Sequence, residues 1–357
     1  MSFQNSNSVL QLRLKSRAHS LVELVQTPNK SEYSELGFFR SPRQRLTSKA
    51  ELPPLSVKPK ANNCISKVKC SKKSYGMIKA FAVCTNQGLV RSYNEDRVTI
   101  IPRVKLNELE HRVSYFSLFD GHGGAGCADF LAENLHQNIF TNLKKETDIT
   151  KSLKNSFSLA EKTFFTSQFK VNYDNSGSCA LSCVIHAGNL YLANVGDSRA
   201  LLGCRNRKCV YQLTTDHKPS NLREKNRIEK AGGKVIAGNG TGVSRIFPGK
   251  LSVTRAFGDF TAKIKSLGGN SEVLVAKPEI FIYPICAEYE YVLLASDGVF
   301  DVLENEEVNE IVWQVLDGPE KDMHEKAGNA CKVVINLALK KSSSDNVTCI
   351  IVVLKDM

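Results

Sequence analysis

From Met77 onward the chain alternates two textures. Short apolar runs recur: MIKAFAVC, DRVTII, VSYFSLF, CALSCVIHA, LYLANV, RALLG, YVLLAS and VTCIIVVL. Their length and their content of Val, Ile, Phe and Tyr predict strands of a substantial sheet system. Longer segments with apolar residues at helical spacing lie between them, over 124–143, 152–169, 221–231, 305–316 and 322–340. These predicted helices come in adjacent pairs instead of following each strand in turn. Such an order favours layered sheets flanked by helices over a doubly wound parallel sheet.

Residues 1–75 read differently. They are rich in Ser, Lys, Arg and Asn, hold PPLSVKPK near Pro53 and show little sustained periodicity. This composition predicts a basic, disordered segment at 1–75 ahead of one domain at 76–357. Within it, VLQLRLKSRAHSLVELV around Leu10 to Val25 has amphipathic spacing, and a docking or solvated segment is favoured over a transit peptide. Ser41-Pro42-Arg43 resembles a proline-directed phosphorylation site, a tripeptide common by chance.

Charge sharpens the division. Of the net +12, residues 1–75 carry +10, with 14 Lys or Arg against 4 acids, which leaves +2 for the remainder. The domain therefore offers no electrostatic case for nucleic acid. The 11 cysteines lie in apolar runs, with an odd total and no C-x-x-C pair, and read as free thiols of a reducing compartment. No run of 18 apolar residues spans a bilayer, the first 25 residues lack a signal-peptide core, and Ser2 breaks the myristoylation pattern. A cytoplasmic or nuclear monomer with no membrane partner is the expectation.

The candidate chemistry sits where the apolar runs end. VSYFSLF finishes on Asp120-Gly121-His122, LYLANV leads to Gly196-Asp197, and YVLLAS ends on Asp297-Gly298. Asp345-Asn346 stands directly before VTCIIVVL, and Glu95-Asp96 before the run VTII. Any one of these is adequately explained as a turn closing a strand. Four or five together place carboxylates on one edge of a sheet. Oxygen-only ligands suit magnesium or manganese, while the His and Cys spacings of zinc sites are absent. Crowded carboxylates repel unless cations neutralise them, and pairs of hard cations mostly handle phosphates. The residues thus point to phosphoester hydrolysis or phosphoryl transfer. Neither a G-x-x-x-x-G-K-[ST] loop nor the kinase H-R-D and D-F-G motifs occur.

With these residues in place, the chain resembles the metal-dependent protein phosphatase family, type 2C, from about residue 76 to 355. RSYNEDR at Arg91 to Arg97, FDGHGG at Phe119 to Gly124 and NVGDSRALL at Asn194 to Leu202 carry the likeness. TTDHKPSNLREKNRIEKAGGKV, LSVTRAFGD, LLASDGVFDVL and SSDNVTCIIV follow in the family's order. The resemblance implies an α+β fold, a four-layer α-β-β-α sandwich of two antiparallel sheets flanked by helix pairs. It implies a phosphatase acting on phosphoserine and phosphothreonine in phosphoprotein substrates, through a metal-bridging water between two divalent cations, magnesium or manganese. Asp120 bridges both cations in this reading, the Gly121 carbonyl binds one, and Asp297 and Asp345 complete the other's shell. Glu95 and Asp96 hold metal-bound waters, and Asp301 matches an acid linked to a third, weaker cation. Arg91 grips the substrate phosphate, for which a planar fork is suited, and His122 is the general acid.

Rival readings accompany these assignments. Arg91 as a solvated surface cation and His122 as a backbone-bonded ring are less favoured than the functional roles. Asp197 is expected to be a supporting acid paired with Arg199, and His217, in HKPSN at the start of a flap, to be structural. The family's G-S-T-A reads here Gly177-Ser178-Cys179-Ala180, so a hydroxyl is exchanged for a weakly bonding thiol. The alternative for the whole chain is a phosphatase-like scaffold binding phosphoproteins, against which Arg91, Asp120, Asp297 and Asp345 speak. A metal-dependent nuclease shares the two-cation logic but lacks a basic face outside the tail.

Overall fold

The computed structural model describes residues 66–106, 112–146, 148–168, 174–207, 209–238 and 242–355. The amphipathic stretch at Leu10 to Val25 and the Ser41-Pro42-Arg43 tripeptide lie outside the described residues.

Two antiparallel sheets face one another. One has six strands in the order Lys67–Cys70, Ile78–Asn86, Val347–Leu354, Tyr289–Ala295, Arg199–Cys204 and Val210–Gln212. The other has five, in the order Glu279–Pro284, Asn189–Val195, Ala180–His186, Val113–Phe119 and Arg97–Val104. Helices Asn305–Leu316 and Met323–Lys340 cover the outer face of the first sheet, and Gly126–Leu143 and Ile149–Gln168 that of the second.

Alternation of side chains explains why the central strands are apolar throughout. In Val113–Phe119, Phe116 and Leu118 enter the core between the sheets, while Val113, Tyr115 and Phe119 enter the core under the helices. In Val347–Leu354, Ile350, Val352 and Leu354 face the other sheet, and Val347, Cys349, Ile351 and Val353 face helices. A strand buried on both sides has no solvent face to make polar. The four layers expected of the α+β sandwich follow from this double burial.

Three local differences from the sequence reading have physical causes. The first predicted helix starts at Gly126 and not at 124, because Gly123 and Gly124 take φ of +65° and +128°, which no helix accommodates. Glu279–Pro284 forms an edge strand that the apolar pattern does not announce, its residues being only half-buried or exposed. The folded part also begins before residue 76. Lys67–Cys70 pairs along its whole length with Thr85–Ala82, and Cys70 and Val68 pack on Gly328 of the covering helix.

A smaller subdomain is inserted beside the strand ends. Helix Leu222–Lys230 and the hairpin of Lys234–Ile236 with Arg245–Phe247 share a core of Ile228, Ile246, Val253 and Val273. Buried Glu224 ties it down, accepting from Arg227, from Arg255 at 2.6 Å and from Thr254 at 2.8 Å. Two guanidinium charges outweigh the cost of burial and hold the Glu224 carboxyl down at about 2.

Candidate metal and phosphate site

Loops from both sheets meet at one end of the sandwich. Asp120 follows strand Val113–Phe119 and Asp197 follows Asn189–Val195, while Asp297 opens the short helix after Tyr289–Ala295. Carboxylate oxygens of these three residues all lie within 4.8 Å of one another. Asp197 thus stands among the acids of the cluster, and only the partner expected for it is corrected. Its expected partner Arg199 instead forks onto Asp216 at 2.6 Å, donates to Asn305 at 2.7 Å and lies over the Phe300 ring.

The electrostatics of the cluster are those of crowded, desolvated acids. Burial, then the charges of Asp297, Asp96, Asp197 and Asp345, push the Asp120 carboxyl well above the usual range. Asp297 is raised in the same way by burial and by Asp197, Asp301 and Asp345. Asp96 is 2% exposed and rises to about 7, chiefly through burial, although Thr348 and Ser296 donate to its Oδ2 at 2.6 and 3.1 Å. Its Oδ1 is buried with no hydrogen-bond partner. A donor set of oxygens alone, mutually repelling and partly unsatisfied, fits hard divalent cations.

The remaining acids surround this centre. Asp345 pairs with Arg91, and both line a cavity of about 380 Å³ together with Asp120, His122 and Asp297. Glu95 Oε1 accepts from the Gly124 N–H at 2.6 Å, and the Glu95 N–H donates to Asn346 Oδ1 at 2.8 Å. Gly121 must lack a side chain, since a Cβ there would come 2.7 Å from the Glu95 carbonyl oxygen. Asp301 lies further out, bonded to Lys218 Nζ at 2.8 Å, and the same ammonium stands 3.8 Å from Asp197.

His122 is held from a side the sequence reading overlooked. Its Nε2 lies 2.9 Å from Oδ2 of buried Asp259. Burial lowers the imidazole's affinity for a proton, but the charge and hydrogen bond of Asp259 outweigh it and the net displacement is upward. Asp259 adopts a left-handed φ of 54°, and its N–H donates to the Ser176 carbonyl at 3.1 Å. Gly177 leaves room for the pair, because a Cβ would come within 2.3 Å of both side chains. Only the position of Asp259 in LSVTRAFGD, at the close of a Gly-Asp turn, offered a signal for it.

Cys179 stands inside this framework. Its N–H donates to the Asp120 carbonyl at 2.9 Å and its thiol to Asp197 Oδ1 at 3.4 Å. Burial, then the charges of Asp197 and Asp120, raise the thiol well above its usual range and keep it neutral. His217, 1% exposed, accepts from the Gly196 N–H through Nδ1 at 3.1 Å, and its carbonyl accepts from Thr254 at 2.8 Å. It is built into the flap's base.

A β-sandwich with a carboxylate cluster where loops of both sheets converge offers a candidate site for hard cations. The family model for protein phosphatase 2C matches residues 80–347, and the chain belongs to that family. It is 36% identical over 250 residues to the probable protein phosphatase 2C member 13, mitochondrial, of Oryza sativa subsp. japonica. That match takes in 70% of this chain and 62% of the relative. Identity to the probable protein phosphatase 2C 59 of Arabidopsis thaliana is 35% over 240 residues, 67% of this chain and 70% of the relative. Among solved structures, a C. elegans sex determining protein superposes with a TM-score of 0.67 at 26% identity, over 79% of this chain and 66% of that one. The serine-threonine phosphatase 2C of Toxoplasma gondii shares the fold at a TM-score of 0.64 and 21% identity, over 82% of this chain and 100% of that one.

Proposed function

We propose that this chain is a protein-serine/threonine phosphatase that hydrolyses phosphoserine and phosphothreonine in proteins. The observation that carries the reading is the convergence of Asp120, Asp197 and Asp297, with Asp345 and Arg91 on the wall of the same cavity. Asp120, the Gly121 carbonyl, Asp297 and Asp345 would hold two divalent cations, magnesium or manganese, with Glu95 and Asp96 ordering water around them. When bound, such cations supply the positive charge that phosphoryl oxygens and an attacking water require. Asp197 and Asp301, already linked through Lys218, are the ligands available to a third and weaker cation.

The chain's own side chains do the rest. Arg91 exchanges its carboxylate partner Asp345 for the substrate phosphate, to which its fork presents two donors. His122 delivers a proton to the departing serine or threonine oxygen, and Asp259 fixes the ring for that purpose. Ten free cysteines among the described residues support a reducing compartment, and we place the protein in cytoplasm or nucleus, acting as a monomer. Phosphate release from a phosphothreonine peptide, measured with manganese and again with EDTA, tests the activity. Release should require the metal, and equal rates in both conditions would refute the reading.

A further inference from the structure

The loop between Asn86 and Glu95 carries Arg91 into the cleft, and it is fastened unusually well for a surface loop. The Asn346 side-chain amide donates to the carbonyls of Gln87 at 2.7 Å and Tyr93 at 3.0 Å, and accepts from the Glu95 N–H at 2.8 Å. Gln87 Nε2 reaches across to the Arg91 carbonyl at 2.8 Å. Gly88 lies so close to Asp345 that a Cβ would sit 2.1 Å from its carbonyl oxygen. Gly88 and Arg91 therefore both touch Asp345 on the cleft wall, and the two residues between them project from the rim.

Those two residues are Leu89 and Val90, 63% and 71% exposed, and Tyr93 beyond Arg91 is 48% exposed. Every other large apolar side chain exposed among the described residues stands singly along the chain. Single exposed apolar groups are ordinary, whereas an adjacent pair displayed by a pinned loop beside a phosphate-gripping arginine points to contact with a ligand. Tyr93 stands near the same wall, the charge of Glu95 pushing its phenol upward.

We propose that Leu89 and Val90 form an apolar docking rim for the substrate chain, so that the enzyme prefers a phosphoresidue flanked by large aliphatic residues. This deepens the phosphatase reading and rests on it, because the occupant is the peptide whose phosphate Arg91 holds. A phosphoserine or phosphothreonine seated in the cleft has its neighbours at the rim, where an aliphatic side chain covers Leu89 and Val90. Partial burial of two such side chains translates into roughly a tenfold preference.

The test compares two phosphothreonine peptides, identical except for leucine or serine on both sides of the phosphoresidue, and a small aryl phosphate that cannot reach the rim. The full chain should favour the leucine peptide about tenfold in kcat/KM. Leu89→Ser with Val90→Ser should erase that preference through KM and leave the aryl ester unchanged. Wild-type indifference to the flanks, or an equal loss on all three substrates, would overturn the proposal. Affinity for non-hydrolysable phosphonate versions of both peptides is measured in parallel. If no peptide is cleaved the phosphatase reading fails, yet a leucine preference in binding that the double variant loses still supports the rim, and its absence sinks it.

Discussion

Removing the first strand is the most informative perturbation of the fold. A chain beginning at residue 76 loses Lys67–Cys70, which contributes a four-residue ladder to Ile78–Asn86. It also loses Ser71, which is 5% exposed and bonds Phe81 twice, its N–H donating at 2.8 Å and its Oγ accepting at 2.9 Å, while Oγ meets His324 Nδ1 at 2.6 Å. Val68 and Cys70 withdraw from the core around helix Met323–Lys340, leaving a gap over Gly328. Two half-buried apolar side chains at about 1 kcal/mol each, with two or three net hydrogen bonds of similar worth, give roughly 4–5 kcal/mol. In a domain of this size that lowers Tm by on the order of 10 °C. It also bares the edge of the largely apolar strand Ile78–Asn86, which invites association. Thermal and urea unfolding of chains starting at 66 and at 76, followed by light scattering, measure both effects. Coincident midpoints with no added scattering would refute the energetic role given to this strand.

The other expectations concern the site and the flap. Asp120→Asn removes the acid central to the cluster and should abolish turnover at any manganese concentration, whereas Asp301→Asn should only raise the manganese required. Superimposable titrations of Asp301→Asn and wild type would remove Asp301 from the metal site. His122→Gln should slow a phosphothreonine peptide by roughly 10² to 10⁴ and an aryl phosphate far less, because the aryl leaving group needs little protonation. Equal losses would assign His122 to support of the metal site. The Glu224 carboxyl is depressed in the folded state, so its stabilisation is complete above the unfolded value near 4.5 and fades as pH falls towards about 2. Across that window wild type should lose about 3 kcal/mol of flap stability that Glu224→Gln never has, read as hydrogen exchange of helix Leu222–Lys230. Parallel pH profiles for the two proteins would count against it.

What the sequence made legible follows from burial. VSYFSLF and VTCIIVVL coincide end to end with strands, because residues buried on both faces leave a continuous apolar mark. Helix Asn305–Leu316 also has the predicted bounds. KVKC shows the period-two alternation of a half-exposed strand, but it lies in a basic stretch whose charge masks the signal. The acids at strand ends were visible as a set, while which loops converge was not. Asp197 and Arg199 are two residues apart on the chain, yet they face different partners, because Asp197 lies in the turn after strand Asn189–Val195 while Arg199 already belongs to the strand Arg199–Cys204 of the other sheet. Asp259 escaped for a related reason, its role depending on a left-handed turn that brings it to a histidine 137 residues earlier.

The carboxylate cluster has a consequence beyond catalysis. Asp120 and Asp197 follow strands of one sheet and Asp297 follows a strand of the other, so cations held among them would act as staples across the open end of the sandwich. Without that charge, the end of the molecule is held by interlayer packing working against carboxylate repulsion. Binding linked to folding adds stability with cation concentration, about 2.7 kcal/mol when the free ion reaches 100 times its Kd. If cations bind there, a drop in available divalent cation would loosen the two sheets from each other at that end. Metal scarcity would then lower the amount of intact protein, by exposing it to proteolysis, in addition to slowing each molecule that remains.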